Sequence, residues 1–199
     1  VKGRIVFLLE EPSMKILLDD LMPRIFPGLR VQEHFQCIPH EGKTDLDRSI
    51  PRKLKAWREP NVRFVVVRDN DSANCITLKK RIKKLCQEAG RPDTLIRLVC
   101  QELEGWYVGD LHALEAAFPE YRINTPALRK KFSDPDSWQK PSVELRRLLP
   151  SFQKLSGARS MALILRRDGN NSKSFCVFLD GIHEIVREMG YVYKAERDI

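Results

Sequence analysis

Residues 62–71 read VRFVVVRDND. The apolar run from Phe64 to Val67 is continuous rather than alternating, so both faces of a strand here must be covered, as in the middle of a parallel sheet flanked by helices. The Asp69-Asn70-Asp71 turn follows with no spacer. Ser72 or Asn74 then caps a helix that runs to Ala89 and stops at Gly90. Upstream, residues 4–10 (RIVFLLE) form another short strand. Pro12 and Ser13 open a helix with Met14, Leu17, Leu18, Leu21 and Met22 on one face, which Pro23 and then Pro27-Gly28 break. A strand is predicted over residues 31–38, a helix over 45–57 interrupted by Pro51, and a fourth strand over 95–100. Asp110 caps a helix through Phe118, and a last helix spans 174–189.

Strands alternating with helices at this spacing predict βαβ units and an α/β fold, a mainly parallel Rossmann-like sheet flanked by helices. That core occupies residues 1–121. Residues 122–199, richer in proline and charge, read as a helical C-terminal accessory region packed on it.

Composition narrows the function classes. At 199 residues and 42% hydrophobic content the chain can close a real core, which argues against disorder. Its apolar runs are far shorter than the roughly 20 residues of a membrane span, and no leader precedes the first strand, so a soluble, cytoplasmic protein is expected. Five cysteines, none spaced C-x-x-C, disfavour structural zinc or a disulfide framework and suit a reducing compartment. The net charge of +8 makes nucleic acid the first partner to consider, although a basic balance also serves plain solubility.

The informative pattern is positional. Three predicted strands each deliver carboxylates just past their carboxyl ends: Glu10 and Glu11, Asp69 and Asp71, Glu102 and Glu104. Open α/β sheets bind ligands at that edge. Clustered carboxylates repel one another, and a hard cation such as Mg²⁺ or Mn²⁺ is what normally neutralises them. Such ions serve phosphoryl transfer because they keep positions open for water and substrate phosphates. An Asp-Asn-Asp turn that merely caps a helix is the plain alternative for any one strand end. His40 and Lys43, in the HEGK stretch after the second strand, are candidate substrate-binding residues on the same edge, as is Arg68. Lys79, Lys80, Arg81, Lys83 and Lys84 form a basic face on the third helix, which suits a phosphate backbone or simple solvation.

A strand ending in glutamate (FLLE, Glu10) with a later strand ending in Asp-x-Asp (VVVRDND, Asp69 and Asp71) resembles the Toprim domain shared by topoisomerases, primases and overcoming-lysogenization-defect nucleases. EEPSMK, IPHEGK, RDND and CQELEGWYVGDL together resemble a bacterial Toprim-like family known only as a domain of unknown function. The resemblance covers roughly residues 5–118. It implies Glu10 as acid and metal-site glutamate, Asp69 and Asp71 as metal ligands, and Glu104 with Glu102 as a further acidic pair. It also implies Mg²⁺-dependent cutting or transfer on DNA or RNA, often beside a partner ATPase in bacterial phage defence. Toprim glutamates are usually followed by glycine, whereas Glu11 and Pro12 follow here. That departure, with the basic surface, motivates the rival expectation of a non-catalytic nucleic-acid-binding or ATPase-regulating module. A phosphatase or receiver-like phosphoacceptor ranks lower, because no lysine follows the fourth strand.

Overall fold

The computed structural model describes residues 3–191, so the end of the expected 122–199 region lies outside the described residues. Its core alternates β1 (Arg4–Leu9), α1 (Pro12–Ile25), β2 (Phe35–Pro39), α2 (Lys43–Ala56), β3 (Val62–Asp69), α3 (Cys75–Glu88) and β4 (Leu95–Val99). The sheet order is β2-β1-β3-β4, and every pairing is parallel, with Leu9 opposite both Pro39 and Val67. All four carboxyl ends therefore face the same edge.

Because side chains alternate along a strand, the sheet feeds two apolar layers. Ile5, Phe7 and Leu9 of β1 and Val65 and Val67 of β3 pack with Met14, Leu17 and Leu21 of α1. Val6, Leu8, Phe64 and Val66 face Leu46, Ile50 and Leu54 of α2 and Leu78, Ile82 and Cys86 of α3. Burial on both faces is what the unbroken VRFVVV run requires, and the α/β fold follows from it.

The elements differ from expectation where proline and turn residues intervene. Pro23 does not end α1, nor does Pro51 interrupt α2; both lie inside their helices. Each removes one backbone donor at a cost of about 3 kcal/mol, and the burial of Leu21 and Met22 beside Pro23 and of Ile50 and Leu54 beside Pro51 offsets it. The predicted strand over 31–38 shrinks to β2, because Gln32 adopts a positive φ of 66° and Val31 keeps only an isolated bridge to Phe35.

After β4 come α4 (Glu104–Val108), α5 (Leu111–Ala117), α6 (Pro126–Lys131), a 3-10 turn at Pro135–Ser137, α7 (Pro141–Leu148), α8 (Lys154–Ala162) and α9 (Lys173–Glu188). The apolar layer on the α1 side continues without a break into Phe132, Leu145, Met161 and Phe178. Arg24 of α1 donates to the carbonyls of Ala162 (3.1 Å) and Leu165, fastening α8 to α1. Among the described residues no helix is long and apolar enough to cross a membrane.

Candidate active site

Each strand end places its carboxylates through its own backbone. Glu10 is held on both sides: its N–H donates to the Val67 carbonyl at 3.2 Å, and its carbonyl accepts from Gly42 N–H at 2.9 Å. Gly42 has φ +91°, a conformation that glycine supplies cheaply. The β3 and β4 ends are laced together. Asn70 N–H donates to the Val99 carbonyl (3.1 Å), Gln101 N–H donates to Asn70 Oδ1 (3.0 Å), and Ser72 N–H donates to Gln101 Oε1 (2.7 Å). Asp71, Ser72 and Gln101 all have positive φ, a strained set of the kind that concentrates at functional sites. Glu104 is fixed by the first turn of α4.

These residues line one cleft of about 590 Å³, bounded by Glu10, Glu11, Asp69, Asp71, Glu102 and Glu104 on the sheet side. The opposite wall is made by residues beyond 122, among them Arg146 of α7, Phe152 just before α8 and Lys154 of α8. Lys154 is placed by the docking of α8 on α1 and pairs with the Glu11 carboxylate. Gly157 of α8 admits the Phe152 ring: a Cβ there would stand 2.1 Å from it.

Burial sets the electrostatics. The Asp69 carboxyl, 6% exposed, is pushed well above its ordinary value by burial and then by the charges of Glu10, Glu11 and Glu104, with Lys154 opposing. Its Oδ1 is buried without a hydrogen-bond partner. Burial likewise raises Glu10 from 4.5 to about 7, against the Asp69 N–H it accepts and with the charge of Asp71 adding to the rise. That N–H lies 3.0 Å from Glu10 Oε2. Glu104 is raised by burial, with Lys154 pulling back. Burial pulls Lys154 down, but its hydrogen bond to Glu11 and the charges of Glu104 and Asp69 hold it above the ordinary lysine value.

A raised carboxyl favours the folded state while it stays protonated, so the stability Glu10 lends at low pH is lost as pH rises from 4.5 through about 7. Thermal unfolding in a chelator should therefore show stability falling across that window, and Glu10→Gln should flatten the fall. An unchanged pH profile in Glu10→Gln would show that Glu10 is not the group responsible.

Not every candidate reaches the cleft. Lys43 stands at its mouth, with Nζ 2.8 Å from Asp71 Oδ2. Arg68 does not line it: 6% exposed, it lies between Glu10 and Asp47 at 3.8 Å from each, beyond hydrogen-bonding reach. It acts on Glu10 through space, and Asp47 also holds Arg81 at 2.7 Å. His40 is also buried, its Nδ1 2.8 Å from the Leu9 carbonyl, and does not line the cleft. Neither Arg68 nor His40 is therefore part of the cleft lining; both pack behind the β1 end. Lys154, Asn70 and Gln101 carry no site role in the sequence reading, whereas Arg146 belongs to a basic patch that the sequence marks together with Arg129, Lys130, Lys131 and Arg147. Asn70 lies inside the RDND motif, but nothing local marks Lys154.

The donor chemistry of the sheet-side wall is that of a hard-cation site, six carboxylates with no sulfur or imidazole. Among the described residues, however, no three His, Cys, Asp or Glu side chains stand close enough together to hold an ion as they are. Asp71 is engaged by Lys43, Glu11 by Lys154, and Glu102 accepts from Ser142 N–H at 2.8 Å.

Comparison with known proteins agrees with the architecture. The profile of a family described as "Domain of unknown function (DUF4276)" matches residues 9–183. The C-terminal region of the Burkholderia pseudomallei OLD protein superposes with a TM-score of 0.55 at 15% identity, covering 94% of this chain and 98% of that one. The C-terminal region of the Xanthomonas campestris pv. campestris OLD protein gives 0.54 at 14% identity, covering 94% and 96%. At such identities the likeness establishes the fold, which is Toprim-like. No curated protein matches the sequence.

Proposed function

The chain belongs to the DUF4276 family, and from that premise we propose that it is a divalent-cation-dependent nuclease or related phosphoryl-transfer enzyme acting on DNA or RNA. The observation that carries this reading is the single cleft in which Glu10, Asp69, Asp71 and Glu104 from three strand ends meet Arg146 and Lys154. The α/β core supplies the carboxylates, and α7 and α8 bring Arg146 and Lys154 to face them. The Toprim resemblance of FLLE and VVVRDND supports the same assignment.

Glu10, Asp69, Asp71 and Glu104 are the residues that would hold the cation, Mg²⁺ or Mn²⁺. When bound it would polarise a phosphate and activate water. Asp69 is suited to the ligand role because a bound positive charge would relieve both its burial and its repulsion by Glu10 and Glu104. Asp71 can join by leaving Lys43, a half-exposed pair of the kind that contributes only about 0–1 kcal/mol; Lys43 is then free to meet a substrate phosphate. Glu10 is raised to about 7 by burial in the cation-free cleft, and a bound cation would draw it back to the ionised form that a ligand needs. Arg146 and Lys154 bring positive charge to the face where a nucleic-acid backbone would enter. A partner ATPase, a phage-defence setting and a cytoplasmic location rest on the family resemblance and the cysteine usage.

The test is cleavage of labelled single- and double-stranded DNA and RNA by the pure protein with Mg²⁺ or Mn²⁺, with and without an ATPase encoded beside it. Activity is expected to need the cation and to fall at least about 100-fold in Asp71→Ala, as loss of a transition-state electrostatic contact does. Activity equal in Asp71→Ala and the unsubstituted protein would refute the assignment. One observation favours a second reading, a non-catalytic nucleic-acid or ATPase-regulating module: several cleft carboxylates are already matched by lysines or backbone donors. Salt-sensitive nucleic-acid binding indifferent to Mg²⁺ would select it.

A further inference from the structure

Behind the carboxylate wall lies a tyrosine that the motifs leave without a role. Tyr107 is 1% exposed, and its hydroxyl has no hydrogen-bond partner. A buried hydroxyl without a partner costs about 1–3 kcal/mol, and a phenylalanine of nearly the same shape would avoid that cost. The ring is positioned by the site itself. Tyr107 follows Glu104 by three residues on α4, which places both on one helix face, and its ring packs against Phe152 with centroids 6.2 Å apart. Glu104 and Phe152 are both walls of the cleft. The charges that bear on the hydroxyl after burial itself are Glu104, Glu11 and Asp69.

Asp69 supplies the complementary orphan, a buried Oδ1 that accepts nothing. One fully buried donor and one nearly fully buried acceptor, both unused, thus belong to the same acidic cluster. Native interiors rarely leave such groups unmet, and the oxygen atoms of a bound ligand are partners that could meet them.

We propose that Tyr107 is a positioning residue of the cation site, its hydroxyl donating a hydrogen bond to the oxygen shell that a divalent ion brings against Asp69. This rests on the cation-site reading above and adds to it a residue outside the carboxylate set. Partners of this kind orient ligands, and their loss commonly lowers metal affinity about 10–100-fold.

The experiment is Mn²⁺ titration of the full chain, read by paramagnetic resonance of the free ion, together with thermal unfolding in a chelator, for the unsubstituted protein and Tyr107→Phe. Mn²⁺ affinity is expected to fall about 10-fold, while without the ion Tyr107→Phe is at least as stable as the original. A hydroxyl bonded inside the apoprotein would instead make Tyr107→Phe less stable in the chelator, and that overturns the inference. Equal Mn²⁺ affinity also overturns it while leaving the cation site standing. Absence of Mn²⁺ binding by the unsubstituted protein overturns both. Should Tyr107→Phe fail to fold, the tyrosine ultraviolet resonance Raman spectrum of the unsubstituted protein reads the same hydrogen bond; a change on adding Mn²⁺ supports it, and no change overturns it.

Discussion

Asp69→Asn is expected to abolish cation-dependent cleavage and, in the same protein, to raise the unfolding temperature measured without the cation. The two effects have one cause. Asp69 is 6% exposed, with one oxygen unpartnered, and its charge meets Glu10, Glu11 and Glu104. Folding without a counter-ion therefore forces the group to bind a proton or to keep a poorly solvated charge. Asparagine is neutral, nearly isosteric, and brings donors into a neighbourhood rich in acceptors. A gain of about 1–2 kcal/mol corresponds to about 2–8 °C for a chain of this size. Activity is lost because the neutral amide is a weaker ligand for a hard cation. Differential scanning calorimetry in a chelator, beside the cleavage assay, checks both halves. A destabilised Asp69→Asn protein would mean that the carboxylate serves the fold, as in an ordinary helix-capping turn, and not a site that trades stability for activity.

Lys154→Met is expected to reverse the sign of the stability effect while also losing activity. Lys154 is the cation that Glu11 holds, and its charge moderates both Asp69 and Glu104. Methionine keeps the apolar stem and deletes the charge, so the carboxylate wall is left without its internal neutraliser. The pair is partly open to solvent, with side-chain exposures of 48% and 20%, which holds the loss to about 1 kcal/mol, or about 2–4 °C. Added Mg²⁺ should then stabilise Lys154→Met more than it stabilises the unsubstituted protein, since it takes over the missing charge. Cleavage should fall strongly, and Lys154→Arg should recover stability better than activity, because a planar guanidinium does not reproduce a compact ammonium. Unchanged melting and cleavage in Lys154→Met would remove Lys154 from the site.

The local parts of the molecule are legible in the residues themselves. An uninterrupted VRFVVV run demands cover on both faces, Asn74 and Asp110 cap α3 and α5 through Thr77 N–H and Ala113 N–H, and the parallel register then brings Glu10, Asp69 and Glu104 to one edge. The period of two along a strand also contains a warning about Arg68. It points opposite to Asp69, into the layer of α2 and α3 toward Asp47, which also holds Arg81. Adjacency to the acidic motif points to the cleft, and alternation turns the side chain away from its lining. His40 is turned for a related reason: its position after β2 is on the same edge, but its ring turns inward to the Leu9 carbonyl.

The far wall of the cleft is of another kind. Glu11 and Lys154 are separated by 143 positions, and the stretch around Lys154 carries no motif. Its place depends on α8 lying across α1, on Gly157 admitting the Phe152 ring, and on Arg24 reaching two carbonyls at the far end of α8. Tyr107 likewise reads as an ordinary core aromatic until the packing leaves its hydroxyl buried without a partner. Helices, caps and strand ends follow from interactions a few residues long, which composition and spacing record. Which distant charges share a buried space follows from how whole layers pack, and no short stretch of chain records that.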